Sequence, residues 1–278
     1  MYAMQIGRVK AKGAYIVHMD SDEVLTNKKS FESKVNIFLS NNNIKAVLPS
    51  GLRTPSNISS VNYFINEFGE PFSYFIYRIS INADYFIGMV KKYAFVEYED
   101  NNYVVLNFSK TKVLPPIELA AIGIMIDRKY IMKNLPELTS DPKLLPLSFF
   151  YLAKRGVLFG FLKNDPIEHY SVAQWGKYLK KIKFRIVNNV YGLEMSKAGF
   201  SGRGEHYHVL FRLKKYLFIP YSLTIAFPLV DSLYLAITRK KLVFLAYPFL
   251  CLYISFLAVY YYLSKLFGIV PVQKGYGS

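Results

Sequence analysis

Apolar and polar positions change rhythm along this 278-residue chain near residue 216. Before it, short apolar runs alternate with stretches of helical period. After it, apolar residues become nearly continuous. Residues 242–267 are almost all Leu, Phe, Tyr, Ala, Val and Ile, with Lys265 the only charge. About 20 apolar residues at 1.5 Å rise cross the hydrocarbon core of a bilayer, so this run predicts a spanning helix. The cluster Tyr260, Tyr261 and Tyr262 suits an interfacial belt. Residues 216–237 are apolar too, but they hold Pro220, Pro228 and Asp231. A carboxylate at bilayer depth is expensive. A kinked span forming a hairpin with the next helix is the expectation here, and a re-entrant or interfacial element is the alternative.

Upstream, residues 5–12 read as the end of a helix closed by Gly13, and 14–19 as a short strand followed by the polar loop Asp20-Ser21-Asp22-Glu23. Phe31, Val35, Phe38 and Leu39 fall at i, i+4, i+7 and i+8, which predicts a helix over 28–40 with that face inward. Residues 44–48 read as a strand, and the aromatic-rich 62–77 as partly helical. Residues 93–99 and 103–108, joined by Asp100-Asn101-Asn102, read as a hairpin. A buried strand is expected over 122–126. Asp141-Pro142 is an N-cap followed by proline at the first helical position, predicting a helix to Arg155 that ends at Gly156. A strand from 157 to 162 ends near His169. Strands alternating with helices predict an α/β layer with a mixed sheet. Ligands of such sheets bind beyond the carboxyl ends of strands, where Asp20 to Glu23 would lie.

Composition narrows the partners. Lys and Arg number 35 against 19 Asp and Glu, a formal charge of +16, and 52% of residues are hydrophobic. That apolar content excludes a disordered polar chain. The single cysteine, Cys251, excludes a disulfide scaffold and is consistent with a reducing compartment. A basic and apolar chain points to nucleic acid or a membrane surface. The basic residues gather beside the apolar C-terminal region, which argues for the membrane and against nucleic acid. Arg203, Arg212, Lys214 and Lys215 precede the first apolar segment, and Arg239, Lys240 and Lys241 follow it. Both sides are basic, so the positive-inside rule alone leaves topology open. The larger upstream charge, with residues 1–12 short and polar and without an apolar h-region, gives the expectation that the soluble part is cytoplasmic.

The acidic loop carries the candidate chemistry. Two carboxylates at i and i+2 directly after a strand hold one hard divalent cation, Mg²⁺ or Mn²⁺, together with substrate phosphates. A solvated turn is the plainer reading of the same residues. The segment Ala11-Lys12-Gly13-Ala14-Tyr15-Ile16-Val17-His18-Met19-Asp20-Ser21-Asp22-Glu23 resembles the middle of GT-A fold, family-two glycosyltransferases, in its layout of helix, glycine, strand and Asp-x-Asp. Pro115-Pro116-Ile117-Glu118-Leu119-Ala120-Ala121-Ile122-Gly123, followed by Ile126-Asp127-Arg128, is similar to the stretch that shapes the acceptor side of such enzymes. Asp165-Pro166-Ile167-Glu168-His169 is similar to their late strand ending in His.

This resemblance, over residues 5–183, implies an α/β fold with a partial GT-A-like mixed sheet and flanking helices, followed by a transmembrane helical hairpin. It implies a catalytic domain over 1–170, a basic amphipathic helix and linker over 171–215, and a membrane hairpin over 216–270. It implies transfer of a sugar from a nucleotide-diphosphate donor to a lipid-phosphate or glycan acceptor. Asp20 and Asp22 stand at the metal and donor phosphates, Asp22 the better direct ligand, and His169 is a further ligand or phosphate contact. The acceptor-deprotonating carboxylate is matched best by Asp141, which is also a good helix cap. Gln174-Trp175-Gly176-Lys177-Tyr178 is similar to the Gln-x-x-Arg-Trp motif of processive members, with Lys and Tyr replacing Arg and Trp, which argues against a polymerising enzyme.

The residues after Gln174 also have a reading of their own. Tyr178, Ile182, Ile186 and Val190 form one helical face, flanked by Lys177, Lys180, Lys181, Lys183 and Arg185. Such a helix can lie on an anionic bilayer surface and hold a lipid-phosphate acceptor, with Gln174, Trp175, Lys177, Lys180 and Lys181 on the acceptor or membrane side, and a solvated basic helix is the plainer reading of the same residues. The family's opening strand–helix–strand unit, which binds the nucleotide base, has no counterpart ahead of residue 5. The sheet is therefore expected to keep an open edge. A non-catalytic membrane protein binding lipid or a partner subunit is the competing reading. A different metal-dependent nucleotide enzyme is a third.

Overall fold

A computed structural model describes residues 2–117, 119, 121–171, 174–191, 204–207 and 209–271. The first part of the chain runs α1 (Tyr2–Lys10), β1 (Tyr15–His18), β2 (Glu23–Leu25), α2 (Ser30–Ser40), β3 (Ile44–Leu48), β4 (Gly51–Arg53), α3 (Val61–Phe68), α4 (Pro71–Tyr77) and α5 (Phe86–Val90). The hairpin β5 (Phe95–Glu99) and β6 (Tyr103–Asn107) follows, then β7 (Ile124–Asp127), α6 (Arg128–Asn134), α7 (Glu137–Ser140), α8 (Ser148–Lys154), β8 (Leu158–Leu162) and β9 (Pro166–His169). The last elements are α9 (Trp175–Tyr191), α10 (Val209–Leu213), α11 (Phe218–Leu223), α12 (Ala226–Arg239) and α13 (Tyr247–Leu266). They form two compact units. One comprises Met1–Pro55, Ile79–Tyr170 and Glu205–Tyr207, and the other Ser56–Arg78, Ser171–Gly204 and His208–Ser278.

The first unit is mixed α/β. Its main sheet has the order β1-β7-β3-β8-β6-β5. β1, β3 and β8 run one way, with β7 antiparallel between β1 and β3. β1 is an edge strand among the described residues. Side-chain alternation covers both faces. Tyr15 and Val17 pack with Ile37 and Phe38 of α2, Tyr15 stacking on Phe38 at 4.4 Å. Gly160 of β8 sits on the same face, where a Cβ would come within 2.8 Å of Ile37 Cγ2, so only glycine lets α2 approach this closely. The opposite face is filled by rings, Phe159 against Phe149 of α8 and Phe161 against Phe86 of α5. A second sheet, β2-β9-β4, is built from chain that continues past the carboxyl ends of β1, β8 and β3.

Two expectations for this unit are corrected. The buried face of α2 is Ser30, Lys34, Ile37 and Phe38, while Phe31 and Leu39 are exposed. The spacing is right and the register is one residue off. Lys34 turns inward because its ammonium lies 2.9 Å from Asp165, sealed from solvent. The helix expected over 141–155 is broken: Pro142–Leu147 is 3₁₀ with Pro146 inside it, and α8 starts at Ser148. A proline within the run removes a helical donor and crowds the preceding turn.

The second unit is helical and includes residues 56–78, which sequence order alone would leave with the sheet. Its core is aromatic: Phe64 contacts Trp175, Tyr178, Phe244 and Tyr247. The face of α9 is not left for a bilayer. Tyr178, Ile182, Val187 and Val190 are buried, Val187 and Val190 packing with Tyr261 of α13, while Ile186 is half-buried. Lys177, Lys180 and Lys183 remain exposed.

Leu242–Leu266 is long and apolar enough to cross a membrane, and only 39% of its apolar window is buried within the chain. Its single charge, Lys265, donates to the Val190 carbonyl at the end of α9 at 2.6 Å. The preceding segment is not a continuous helix. Lys214–Leu223 and Ala226–Arg239 meet at 93°. Pro228 lacks the N–H that would bond Thr224, so a helix cannot run straight through, and Ile225 takes a left-handed φ of 56° at the break. The carboxylate of Asp231 is not bare: Arg78 Nη1 lies 2.7 Å away and Tyr221 donates its hydroxyl to it.

Candidate functional site

The site lies in the α/β unit, past the carboxyl end of β1. Its base is fixed by a buried pair that has no carboxylate in it. Arg8 of α1 donates to His18 Nε2 at 3.2 Å, and both side chains are buried. Burial first, and the Arg8 charge second, hold the His18 imidazole down to about 4, so it is neutral and accepts at physiological pH. This ties α1 to the last residue of β1, two residues before Asp20.

Asp20-Ser21-Asp22 makes a tight turn into β2. The Glu23 N–H donates to the Asp20 carbonyl at 3.2 Å, and the Asp20 N–H donates back to Glu23 Oε2 at 3.0 Å. The other oxygen, Glu23 Oε1, accepts the N–H of Ile122 at 2.8 Å. Ile122 and Gly123 both have left-handed φ, 54° and 64°. A Cβ on Gly123 would come 3.0 Å from Ile167 Cδ1 of β9, so the bend fits glycine on both grounds. Glu23 in turn pairs with His169 across β2 and β9, and the Tyr170 N–H donates to the Asp22 carbonyl at 2.8 Å. His169 Nε2 then lies 3.4 Å from Asp22 Oδ2.

Three stretches far apart in sequence therefore meet: the acidic loop, the segment before β7, and the Asp165 to His169 strand. Glu23 is the residue that sequence reasoning passed over as loop. Its signal was available only as a third carboxylate after Asp20 and Asp22. Burial, the largest cause, lifts its carboxyl to about 7; the two backbone N–H bonds oppose this, and the charges of Asp20 and Asp22 add to it.

Among the expected residues, Asp22 and His169 are brought together, with Asp22 partly open to solvent. Asp20 is half-buried and its backbone closes the turn. The pair is not a cage, because among the described residues no three His, Cys, Asp or Glu side chains converge as a metal group. Asp22 oxygen and His169 nitrogen fit Mg²⁺ or Mn²⁺ only as a partial donor set, with the other positions left to phosphate oxygens and water. Asp141 follows α7 in extended backbone and its carbonyl accepts the Leu144 N–H, as a residue entering the 3₁₀ turn does. Glu118 and Ala120 of the acceptor-side stretch lie outside the described residues. Gln174, Trp175, Lys177, Lys180 and Lys181 stand in or beside the first turns of α9 in the helical unit. In comparisons with known proteins, no family model matches the chain and no curated protein matches it.

Proposed function

We propose that the chain is a membrane-anchored glycosyltransferase of GT-A-like fold. It moves a sugar from a nucleotide-diphosphate donor to a lipid-linked or saccharide acceptor, with the α/β unit on the cytoplasmic side. The observation that carries this reading is the junction at Glu23. It joins the Asp-x-Asp loop to Ile122, two residues before β7, and to the strand ending in His169. These are the segments on which the sequence resemblance rests, and they lie beyond the carboxyl ends of parallel strands, where α/β sheets place ligands.

In this reading Asp22 and His169 would hold a Mg²⁺ or Mn²⁺ ion, and Asp20 would stand at the donor phosphates. When bound, the ion supplies positive charge to the departing diphosphate. The chain's own part is positional. Asp22 sits on the turn that Glu23 locks from inside and His169 ends the strand paired with β2, so little ordering is left to donor binding. Asp141 is the candidate base for an acceptor hydroxyl, and an anionic phosphate acceptor would need none. Release of nucleoside diphosphate from nucleotide sugars by the purified protein in lipid tests the proposal. The release should require Mn²⁺ or Mg²⁺ and vanish in Asp22→Ala.

A second reading has an observation of its own. Among the described residues no three metal-capable side chains converge beside Asp22 and His169, which suits a non-catalytic membrane protein that binds lipid or a partner subunit. Absence of turnover with every nucleotide sugar, combined with a folded α/β unit, would favour it.

A further inference from the structure

Residues 216–230 and 242–264 carry no charged side chain, yet the helices packed on them do. α9 lies along the second half of α13. Tyr253 donates its hydroxyl to the Leu179 carbonyl at 3.5 Å, and Lys265 donates to the Val190 carbonyl at 2.6 Å. These bonds join residues 74 and 75 apart in sequence, so the two helices run parallel and in step. By that register Lys180 stands level with Ile254, the midpoint of Leu242–Leu266, and Lys183 about one turn further on. Both lysines are exposed. If α13 stood across a bilayer, they would lie near the centre of the hydrocarbon, where an ammonium is costly.

The bent pair before α13 has both of its far ends on one helix pair. Lys214 Nζ donates to the Ile76 carbonyl of α4 at 2.9 Å, and Arg239 Nε donates to Glu67 Oε1 of α3 at 2.7 Å. α3 and α4 are joined through Phe68 and Tyr74, ring centroids 4.8 Å apart. The arms Lys214–Leu223 and Ala226–Arg239 meet at 93°. They rise about 17 and 21 Å, so with their ends level the bend lies about 13 Å away, within one half of the roughly 30 Å hydrocarbon core. The bend is apolar, with Leu223, Ile225 and Phe227 all exposed. α13 is divided in the same sense. Phe249, Phe256 and Leu263, at seven-residue spacing, are exposed along one side, while Tyr247, Cys251, Ile254 and Tyr261 are buried on the other. One face to lipid and the other to protein is the layout of a helix lying in the interface.

We propose that the helical unit is a monotopic platform: the bend and the outward stripe of α13 enter one leaflet of a lipid bilayer, with no crossing between residues 209 and 271. A second protein is the other way to cover this surface. Two charge-free runs, with Tyr260 and Tyr262 exposed at the end of the second, match hydrocarbon and its interface, whereas a protein interface carries a polar rim. The inference rests on the membrane part of the proposed function and needs no sugar transfer. The test is cysteine labelling of the full chain, with Cys251 replaced by Ala, by a membrane-impermeant maleimide in inside-out and in right-side-out membrane vesicles. Lys241→Cys and Val270→Cys bracket α13, Lys180→Cys stands level with its middle, and Phe227→Cys marks the bend.

The variants at 180, 241 and 270 should all be labelled in one vesicle orientation and lose that labelling in the other. Phe227→Cys should be labelled in neither until detergent is added. Lys240→Cys and Ile269→Cys repeat the two flanks where a first variant misfolds. Labelling of the two flanks from opposite faces would establish a span and overturn the proposal. So would a Lys180→Cys that reacts only after detergent, or a Phe227→Cys that reacts without it. Labelling of all four positions in both preparations would put the apolar surface under a protein partner or a second copy, and would overturn membrane anchoring as well.

Discussion

Glu23 Oε1 accepts the backbone N–H of Ile122 at 2.8 Å, across 99 residues of sequence. With Oε2 on the Asp20 N–H, one carboxylate pins two loops. Its pKa, raised to about 7 chiefly by burial, makes that link pH-dependent. Between about pH 4.5 and 7 the folded chain keeps a proton that the unfolded chain has released. The stabilisation from this group is complete below pH 4.5 and is lost as pH rises through 7. Glu23→Gln should flatten the dependence of the denaturant midpoint on pH across that window. An unchanged slope would show that Glu23 ionises normally.

The buried pair Lys34 and Asp165, 2.9 Å apart, supports the turn between β8 and β9 that delivers His169. Ser30 bridges it, donating to Asp165 Oδ2 at 2.9 Å and accepting from Lys34 at 2.6 Å. Removing one partner leaves a buried charge, so Lys34→Met should destabilise the α/β unit by about 3–5 kcal/mol. Adding Asp165→Asn should restore much of that loss, because the double variant carries no unpaired ion. Urea melts of the two variants and the parent decide the matter.

The proposed membrane attachment rests on Leu242–Leu266, a helix long and apolar enough to cross a bilayer, whose outward surface is largely apolar. The protein should stay in the membrane pellet after alkaline carbonate and come away only with detergent. Release by carbonate alone would reduce this helix to the core of a soluble unit.

Much of the α/β unit could be read from short apolar runs. β1, β3, the β5–β6 hairpin and β7 are such runs, and turn residues bound them. The errors share a cause. Local patterns assume that charged residues face water, and Lys34 does not. They also assume that a run of helix formers is one helix, and Pro146 and Pro228 interrupt two such runs. Glu23 was illegible because β2 has three residues, too few for a period, and because its partners are backbone groups fixed only by the fold. Asp22 and His169 were legible as chemistry, but their 3.4 Å approach depends on the pairing of β2 with β9.

The role proposed for Asp22, beside His169, is to hold a divalent cation against a nucleoside diphosphate. Calorimetric titration of Mn²⁺ into protein premixed with a nucleoside diphosphate tests it most directly. Binding should be seen in the parent chain, weaken at least about tenfold in His169→Ala and disappear in Asp22→Ala, with both variants melting as the parent does. Equal heats in the parent and in Asp22→Ala would contradict the claim.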